Sequence, residues 1–486
     1  MFVPSGVTRT RFGPLLCHNE HTDGTRADFP RPQQLRGRKL TRRRAGAAAA
    51  PARGADGRAG IRSPEQEAGV TRSIPAQQDG ADLPDPGDPA FWTLPRGRRL
   101  AAFAQLRALD APVLCGRGTG REFWALVRHA DVAGASRRAG DFRSAPGVTT
   151  PEPAAWAKAL FGNSMVNLDG AEHAALRRIV ARSFTPRLLA AAEDNVREVA
   201  RRAVDDLTAG RLPDGTDFVR AVASRVPFEV ICDLMGIPAG MRASVAARVD
   251  QASESVGVRR GLRIPGRGLR ALAHLRLATA RLARERRRRP ADDLVSALVA
   301  ADVEGRGLTS RELGAFFSLL LVAGVETTRN AMAHGLALLT EHPDQRALLE
   351  EDFDRYADGA MEEIVRHSTP IIQFRRTVAT ECDLGGHIFR PGEKTVLFYA
   401  SANRDERVFD DPDAFDITRS PNPHLGYGGG GPHHCLGAHL ARQEMKALFR
   451  ELLSRPGGLR AAGPPELVDS SFDNRVRALR LARDAR

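Results

Sequence analysis

Gly426-Tyr427-Gly428-Gly429-Gly430-Gly431-Pro432-His433-His434-Cys435-Leu436-Gly437 is the stretch on which the reading of this chain turns. Five of the six residues from Gly426 to Gly431 are glycine, and a cysteine follows four residues later. A run of glycines leading into a helix suits a thiolate, because backbone amides can point at the sulfur and the helix N-terminus adds positive potential. Glycines also let a flat, bulky group approach the main chain closely. Those are the requirements of a cysteine that ligates haem iron. Three other readings compete. A phosphate-binding loop would need a following Lys-Ser/Thr, which is absent. A zinc site from His433, His434, Cys435 and His439 lacks the usual paired spacing. An inert buried cysteine is the default for a lone Cys, but leaves the glycines unexplained.

Working outward, Thr309 and Glu312 form a capping box, and Leu313, Phe316, Phe317, Leu320 and Leu321 follow at helical spacing. Nothing stops this helix before His342-Pro343. It is predicted over 310–341, about 32 residues or roughly 48 Å at 1.5 Å per residue. So long and apolar a helix is expected to cross the interior of a large domain. Midway it carries Ala323-Gly324-Val325-Glu326-Thr327-Thr328. An acid and a hydroxyl are costly in an apolar helix. Gly324 permits a ligand's approach and a local widening, and Glu326 with Thr327 makes a candidate proton relay. The competing reading is a kinked helix whose buried acid is satisfied by an arginine.

Weaker constellations accompany these two. Glu363 and Arg366 lie three apart on one helical face, and His173 and Arg177 four apart; such pairs are commonplace on solvated surfaces. Arg375-Arg376 interrupts an apolar β-like run after Pro370. Helical spacing also marks 131–137, 171–182, 188–207, 292–301 and 436–453, with β-like runs at 123–127, 371–378 and 394–399. The fold class is mainly α with small β-sheets, placed mostly in the second half.

Composition sets outer limits. The 486 residues are 42% hydrophobic and 27% charged, as in ordinary globular chains. Net charge is +13, yet 14 basic against 7 acidic residues within 1–80 supply +7 of it, and only four basic residues in the chain are lysine. An arginine bias without aromatic interleaving favours a solvated surface over a nucleic-acid partner. We read 1–80 as a disordered extension rich in Arg, Pro and Gly, and 81–486 as a single domain. The apolar run Leu313–Val325 is shorter than the ~18 residues of a membrane span, so no membrane anchor is expected. Five scattered cysteines and no secretory signal make the cytoplasm the expected compartment.

Taken in order, His173-x-x-x-Arg177, Ala323-Gly-x-Glu-Thr-Thr328, Glu363-x-x-Arg366, Ala402-Asn403-Arg404-Asp405 and the Cys435 loop resemble a bacterial cytochrome P-450 over about residues 85–480. The resemblance implies a triangular-prism fold built around the long helix, and haem b as cofactor. It implies Cys435 as the metal's axial thiolate, and His173, Arg177, Arg376 and His433 as partners of the haem propionates. Glu363, Arg366 and Arg404 would form a structural network, and Glu326 with Thr327 would deliver protons. By position, Val148, Val322, Ala323, Ile371 and Ile372 would line the substrate pocket. Tyr427 stands where the family usually has Phe, eight residues before Cys435 where seven is commoner. Asp169-Gly170-Ala171-Glu172 lacks the prolines often found there. None of these departures removes a ligand.

The expected function is a haem-thiolate monooxygenase inserting one oxygen atom from O₂ into an apolar small molecule such as a sterol, lipid, terpene or polyketide. The extra residue in the loop, with the motifs flanking Glu326 and Arg376, resembles actinobacterial members that oxidise sterol side chains and branched lipids. Electrons would come from a small ferredoxin and an NAD(P)H-dependent ferredoxin reductase, steered by cations such as Arg442 and Lys446. The rivals are a peroxide-driven hydroxylase or decarboxylase on the same scaffold and a haem protein that binds ligand without turnover. Retention of both Glu326 and Thr327 weighs against each.

Overall fold

The computed structural model describes residues 84–145, 147–150, 164–209, 215–253, 266–303, 305–455 and 458–483. Its contacts divide the chain into Met1–Ala76 and Gln77–Arg486. The extension expected over 1–80 lies outside the described residues, all of which belong to the second unit.

The long helix runs from Ser310 to Glu341. Its capping box is formed: Glu312 N–H donates to Thr309 Oγ1 at 3.2 Å, and Thr309 N–H donates to Glu312 Oε2 at 2.9 Å. Pro343 ends it by opening the next helix, Pro343–Glu351. The helix has no polar face because two separate cores cover it. Leu313, Phe316, Phe317, Leu321 and Val325 pack with Leu176, Ile179, Leu275 and Leu282. Those partners come from the helices Gly170–Ser183 and Gly266–Arg288. Farther along, Met332, Leu336 and Leu339 pack with Val196, Val199, Ile364, Leu448 and Phe449. Here the partners are the helices Pro186–Thr208, Phe353–Ser368 and Ala438–Ser454.

The main sheet draws on both halves of the chain, which the sequence had placed mostly in the second. Its order is Val113–Cys115, Phe123–Leu126, Lys394–Phe398, Gln373–Val378 and Phe142–Arg143. Phe123–Leu126 joins Lys394–Phe398 in parallel. Side chains alternate between faces with the period of two that a strand imposes. Phe123, Ala125, Val396 and Phe398 face an aromatic core with Phe91, Trp92 and Phe103. Leu126 and Leu397 face the other core, with Val132 and Phe142.

Between helices and sheet sits a fully buried ion pair. Arg366 donates from Nε and Nη2 to Glu363 at 2.7 and 2.8 Å, and neither side chain is exposed. The remaining guanidinium hydrogens go to the carbonyls of Asn403, Pro412 and Ala414 at 2.7–2.9 Å. Glu363 also accepts from Asn422 Nδ2 and Asp416 N, both at 3.0 Å, and from Arg419 Nε at 3.4 Å. Arg404 makes no hydrogen bond to Glu363. Its Nη2 donates to the His367 carbonyl at 2.8 Å and its Nε to Asp413 at 3.1 Å. The second arginine at Glu363 is Arg419, so the expected three-residue network is bridged by backbone rather than closed by side chains.

Two outcomes follow from burial. Arg366→Leu leaves the Glu363 charge without its main partner; breaking a buried pair costs about 3–5 kcal/mol. The unfolding midpoint in urea is expected to collapse, whereas Arg197→Gln, which removes an exposed pair, leaves it within error. The second concerns Glu444, 2% exposed on the helix Ala438–Ser454. Burial pushes its carboxyl up to about 8. Its folded value exceeds its unfolded one, so stability is intact below the ordinary glutamate range and declines as pH rises from there through about 8. Glu444→Gln is expected to flatten that decline in thermal melts across pH 5–9.

Candidate active site

The middle of the long helix differs from its flanks. Ala323 is exposed and Val322, Gly324 and Thr327 are half-buried, while Val325, Glu326 and everything from Thr328 to Leu339 are buried. Such a patch on an otherwise largely buried helix is the wall that a ligand would meet. The helix stays α throughout, so the widening expected at Gly324 is not there. Thr327 Oγ1 instead donates to the Ala323 carbonyl one turn back, at 2.6 Å. Glu326, 5% exposed, is paired with Arg329 on the next turn. Arg475 Nε stands 3.7 Å from the same carboxylate and is itself held by Asp473 at 2.8 Å. The buried acid is thus satisfied by arginine, as the competing sequence reading had it, although Thr327 beside it still reaches the cavity wall.

The glycine-rich loop fits its surroundings tightly. Gly431 has φ +75°, and a Cβ there would lie 2.4 Å from the Ser136 carbonyl oxygen. One at Gly429 would lie 2.5 Å from Ser136 Oγ. These glycines therefore let the loop close on the helix His129–Arg137. Cys435 N–H donates to the Tyr427 carbonyl at 2.9 Å, which folds the loop back and sets the cysteine just ahead of Ala438–Ser454. Leu436 packs on the cluster that holds Leu321 and Val325. The Cys435 side chain keeps exposed surface, but protein crowding on its other sides raises the thiol above its ordinary value. The Gly437 N–H and the charges of Arg177 and Arg442 oppose that rise.

Three of the four expected propionate partners converge on the loop. The His173 and His433 rings lie 4.2 Å apart, and Arg177 Nη2 donates to the His434 carbonyl at 2.8 Å. Burial first, then the charges of His433 and Arg177, push His173 down to about 4, so it is neutral at pH 7. A cleft of about 640 Å³ opens here, lined by Arg143, Asp169, His173, Arg177, Arg178 and His433. Arg376 is buried on its strand and donates to the Arg375 carbonyl at 2.8 Å; no hydrogen bond links it to the other three among the described residues. Arg375 clasps the Gly147 carbonyl, and its N–H bonds the Val148 carbonyl at 2.7 Å.

The expected pocket residues separate. Val322 and Ala323 belong to the cavity wall and Val148 is 5% exposed. Ile371 packs with Phe374 and Tyr399 on one face, whereas Ile372 is buried among Trp92, Phe103 and Phe398 on the other. Ile372 is a core residue and not part of the wall. The two cations expected to steer a partner are also engaged. Arg442 pairs with Glu362 and stacks 4.2 Å over Tyr427, and Lys446 pairs with Asp358 at 2.8 Å.

Sequence reasoning missed Asp169, Glu362 and Arg475. Asp169 accepts from Ser144 N and Ala145 N at 2.9 Å and lies 3.5 Å from His433. Burial raises Glu362, but hydrogen bonds from His424 and Arg442 hold it down to about 2. Arg329, three residues after Glu326, was the one signal available in the sequence.

These residues fit a haem. An accessible thiol ahead of a helix, an accessible wall on the long helix, and a cationic cleft at the loop are the three contacts it needs. Comparison with known proteins points the same way. The family model for cytochrome P450 matches residues 271–455. A methyl-branched lipid omega-hydroxylase of Mycobacterium tuberculosis is 40% identical over 427 residues, covering 84% of this chain and 96% of that protein. A steroid C26-monooxygenase of Mycolicibacterium smegmatis is 33% identical over 76% of this chain and 85% of its own length. The solved structure of a Mycobacterium marinum cytochrome P450 in complex with pseudoionone superposes with a TM-score of 0.77. It is 39% identical, covering 84% of this chain and all of that one. Motif order, site geometry and near-full-length identity agree: the chain belongs to the cytochrome P450 family, monooxygenases whose cofactor is haem b.

Proposed function

We propose that this enzyme, with its catalytic domain within 81–486, hydroxylates a branched or polycyclic lipid. Electrons come from NAD(P)H through a ferredoxin reductase and a small ferredoxin. The observation that carries the substrate class is the 40% identity to the methyl-branched lipid omega-hydroxylase across 96% of that protein. Cys435 is the residue placed to ligate the iron, with His173, Arg177, His433 and Arg376 for the propionates. When bound, the haem supplies O₂ activation and insertion of one oxygen atom into a C–H bond.

The chain supplies position and protons. Val322 and Ala323 present an apolar wall that excludes water from the substrate side. Thr327 holds a hydroxyl at that wall, and rotation about its side chain transfers its hydrogen bond from Ala323 to a group in the cavity. Glu326 connects the same turn through Arg475 to Asp473, and Asp473 accepts from Ser470 at 2.7 Å. These ion pairs hold the Glu326 carboxylate at the turn that carries Thr327, so the carboxylate and the hydroxyl are the groups there that can hand on a proton. Arg442 and Lys446, although paired with Glu362 and Asp358, are the cations on the loop side offered to a ferredoxin. No helix among the described residues is long and apolar enough to cross a membrane.

Purified holoenzyme with a surrogate ferredoxin and reductase tests the reading. Methyl-branched fatty acids or sterols should shift the Soret band and yield hydroxylated product; product formed only with added peroxide would favour the peroxide-driven alternative. Cys435→His is expected to abolish the strongly red-shifted Soret band of the reduced, CO-treated protein; an unchanged band would place the thiolate elsewhere. Positioned acid–base groups contribute about 10²–10⁴-fold. Glu326→Gln should therefore slow turnover by at least about 10-fold. Thr327→Ala should consume NAD(P)H at a similar rate but release more hydrogen peroxide and less product. Full coupling in Thr327→Ala would make this turn structural only.

A further inference from the structure

Glu326, Asn330 and His334 stand four apart on one face of the long helix, and all three are buried. Each meets the same stretch of the C-terminal chain, residues 474–476. Arg475 Nε faces Glu326 at 3.7 Å, and Asn330 Oδ1 accepts from Val476 N–H at 3.2 Å. The Asn474 carbonyl accepts from His334 Nε2 at 2.9 Å. On its other side the stretch grips the end of the helix Phe353–Ser368 and the turn beyond it. Asn474 Nδ2 donates to the carbonyls of Ser368 and Thr369, both at 2.9 Å, and Asn474 N–H to that of Pro370 at 3.0 Å. Thr369 sits at φ +41°, a conformation that a β-branched residue adopts only under constraint.

Just before this stretch the chain forms a closed turn. Ser470 Oγ accepts from the N–H groups of Phe472 and Asp473 at 3.1 and 3.2 Å, and donates to Asp473 Oδ1 at 2.7 Å. The Phe472 carbonyl accepts from Ile372 N–H at 2.8 Å, and the Phe472 ring lies 5.6 Å from that of Phe374. Phe374 and Ile371 belong to one cluster. All three side chains are half-buried, an apolar surface left partly uncovered where the strand begins. Asp473 Oδ2 takes two hydrogen bonds from Arg475, from Nε at 3.1 Å and from Nη2 at 2.8 Å. One guanidinium therefore serves two carboxylates, that of Glu326 and the one that closes the turn bearing Phe472.

We propose that Arg475 is a positioning residue that couples substrate selection to proton handling, holding Glu326 beside Thr327 while it fixes Phe472 as a wall against the lipid. This rests on the reading of Glu326 and Thr327 as the proton-handling groups of a lipid hydroxylase. The geometry requires arginine. Its planar fork presents Nε and Nη2 to Asp473 while the Nε edge faces Glu326, whereas a lysine offers one point charge to one carboxylate. A substrate pressed on a loose wall exposes more than one carbon to oxidation, and a displaced Glu326 no longer serves the Thr327 hydroxyl. Both faults follow from loss of the same side chain.

The test uses the full-length holoenzyme with a surrogate ferredoxin and reductase and a methyl-branched fatty acid as probe. Asp473→Asn and Phe472→Ala should each weaken binding in Soret titrations by about 3- to 10-fold and spread hydroxylation over more than one carbon. Glu326→Gln should slow turnover at saturating probe and leave Kd unchanged. Arg475→Gln should do both. Added to Asp473→Asn it should bring no further loss of selectivity, and added to Glu326→Gln no further loss of turnover. Should Arg475→Gln fail to retain haem, Arg475→Lys carries the same comparison, because it keeps the charge without the fork. Effects that add in both pairs would overturn the coupling while leaving the relay intact. So would an Arg475→Gln enzyme that melts lower yet binds and hydroxylates as the parent does. Unchanged turnover in Glu326→Gln would overturn the relay, and the coupling with it.

Discussion

A 32-residue helix without a polar face must be covered on every side, and that requirement organises the molecule. One cluster covers its first half and another its second, each assembled from helices distant in sequence. Within the helix the cover thins over Ser318–Leu320 and opens most at Ala323, so the site is the place where a largely sealed helix is left open. Apolar burial at about 25 cal/mol per Å² is what holds the flanking turns in place. The position of the opening follows from where the two clusters stop.

The cysteine loop solves a different problem. It must bring a thiol to that opening while its own backbone crosses other elements. Gly429 and Gly431 allow contact with Ser136 at distances no side chain would permit, and the Cys435-to-Tyr427 hydrogen bond closes the turn. Behind the loop, Glu362 gathers His424 and Arg442, and Arg442 covers Tyr427. The Tyr427 hydroxyl is buried without a hydrogen-bond partner among the described residues. That is the cost of a tyrosine at this position in the loop, and the stacked guanidinium offsets part of it.

Much of this was legible in the sequence, for identifiable reasons. The capping box and the Pro343 stop are local signals, and they gave the long helix its observed ends. The loop glycines and Cys435 are contiguous, and His173 and Arg177 share a helical face, so each set could be picked out together. Contacts between segments far apart in sequence could not be. Arg419 reaches Glu363 across 56 residues and Arg475 reaches Glu326 across more than a hundred. Ile371 and Ile372 look equivalent in an apolar run, yet the chain entering the strand turns them to different cores. Arg442 and Lys446 read as free cations because their carboxylate partners lie some eighty residues earlier. The helix Gly266–Arg288 is so rich in arginine that its apolar stripe is masked in composition.

The division of the long helix between two cores bears on how such an enzyme changes over generations. Phe317 and Leu336 lie nineteen residues apart on one rigid rod, roughly 28 Å by helical rise, and belong to different clusters. At such separation the energetic effects of substitutions add rather than couple. Variation around Leu313–Leu321 can therefore reshape the space near the cavity while Met445, Leu448 and Phe449 keep the helix behind Cys435 seated. Packing at one end of the rod can thus change while the other end stays as it is.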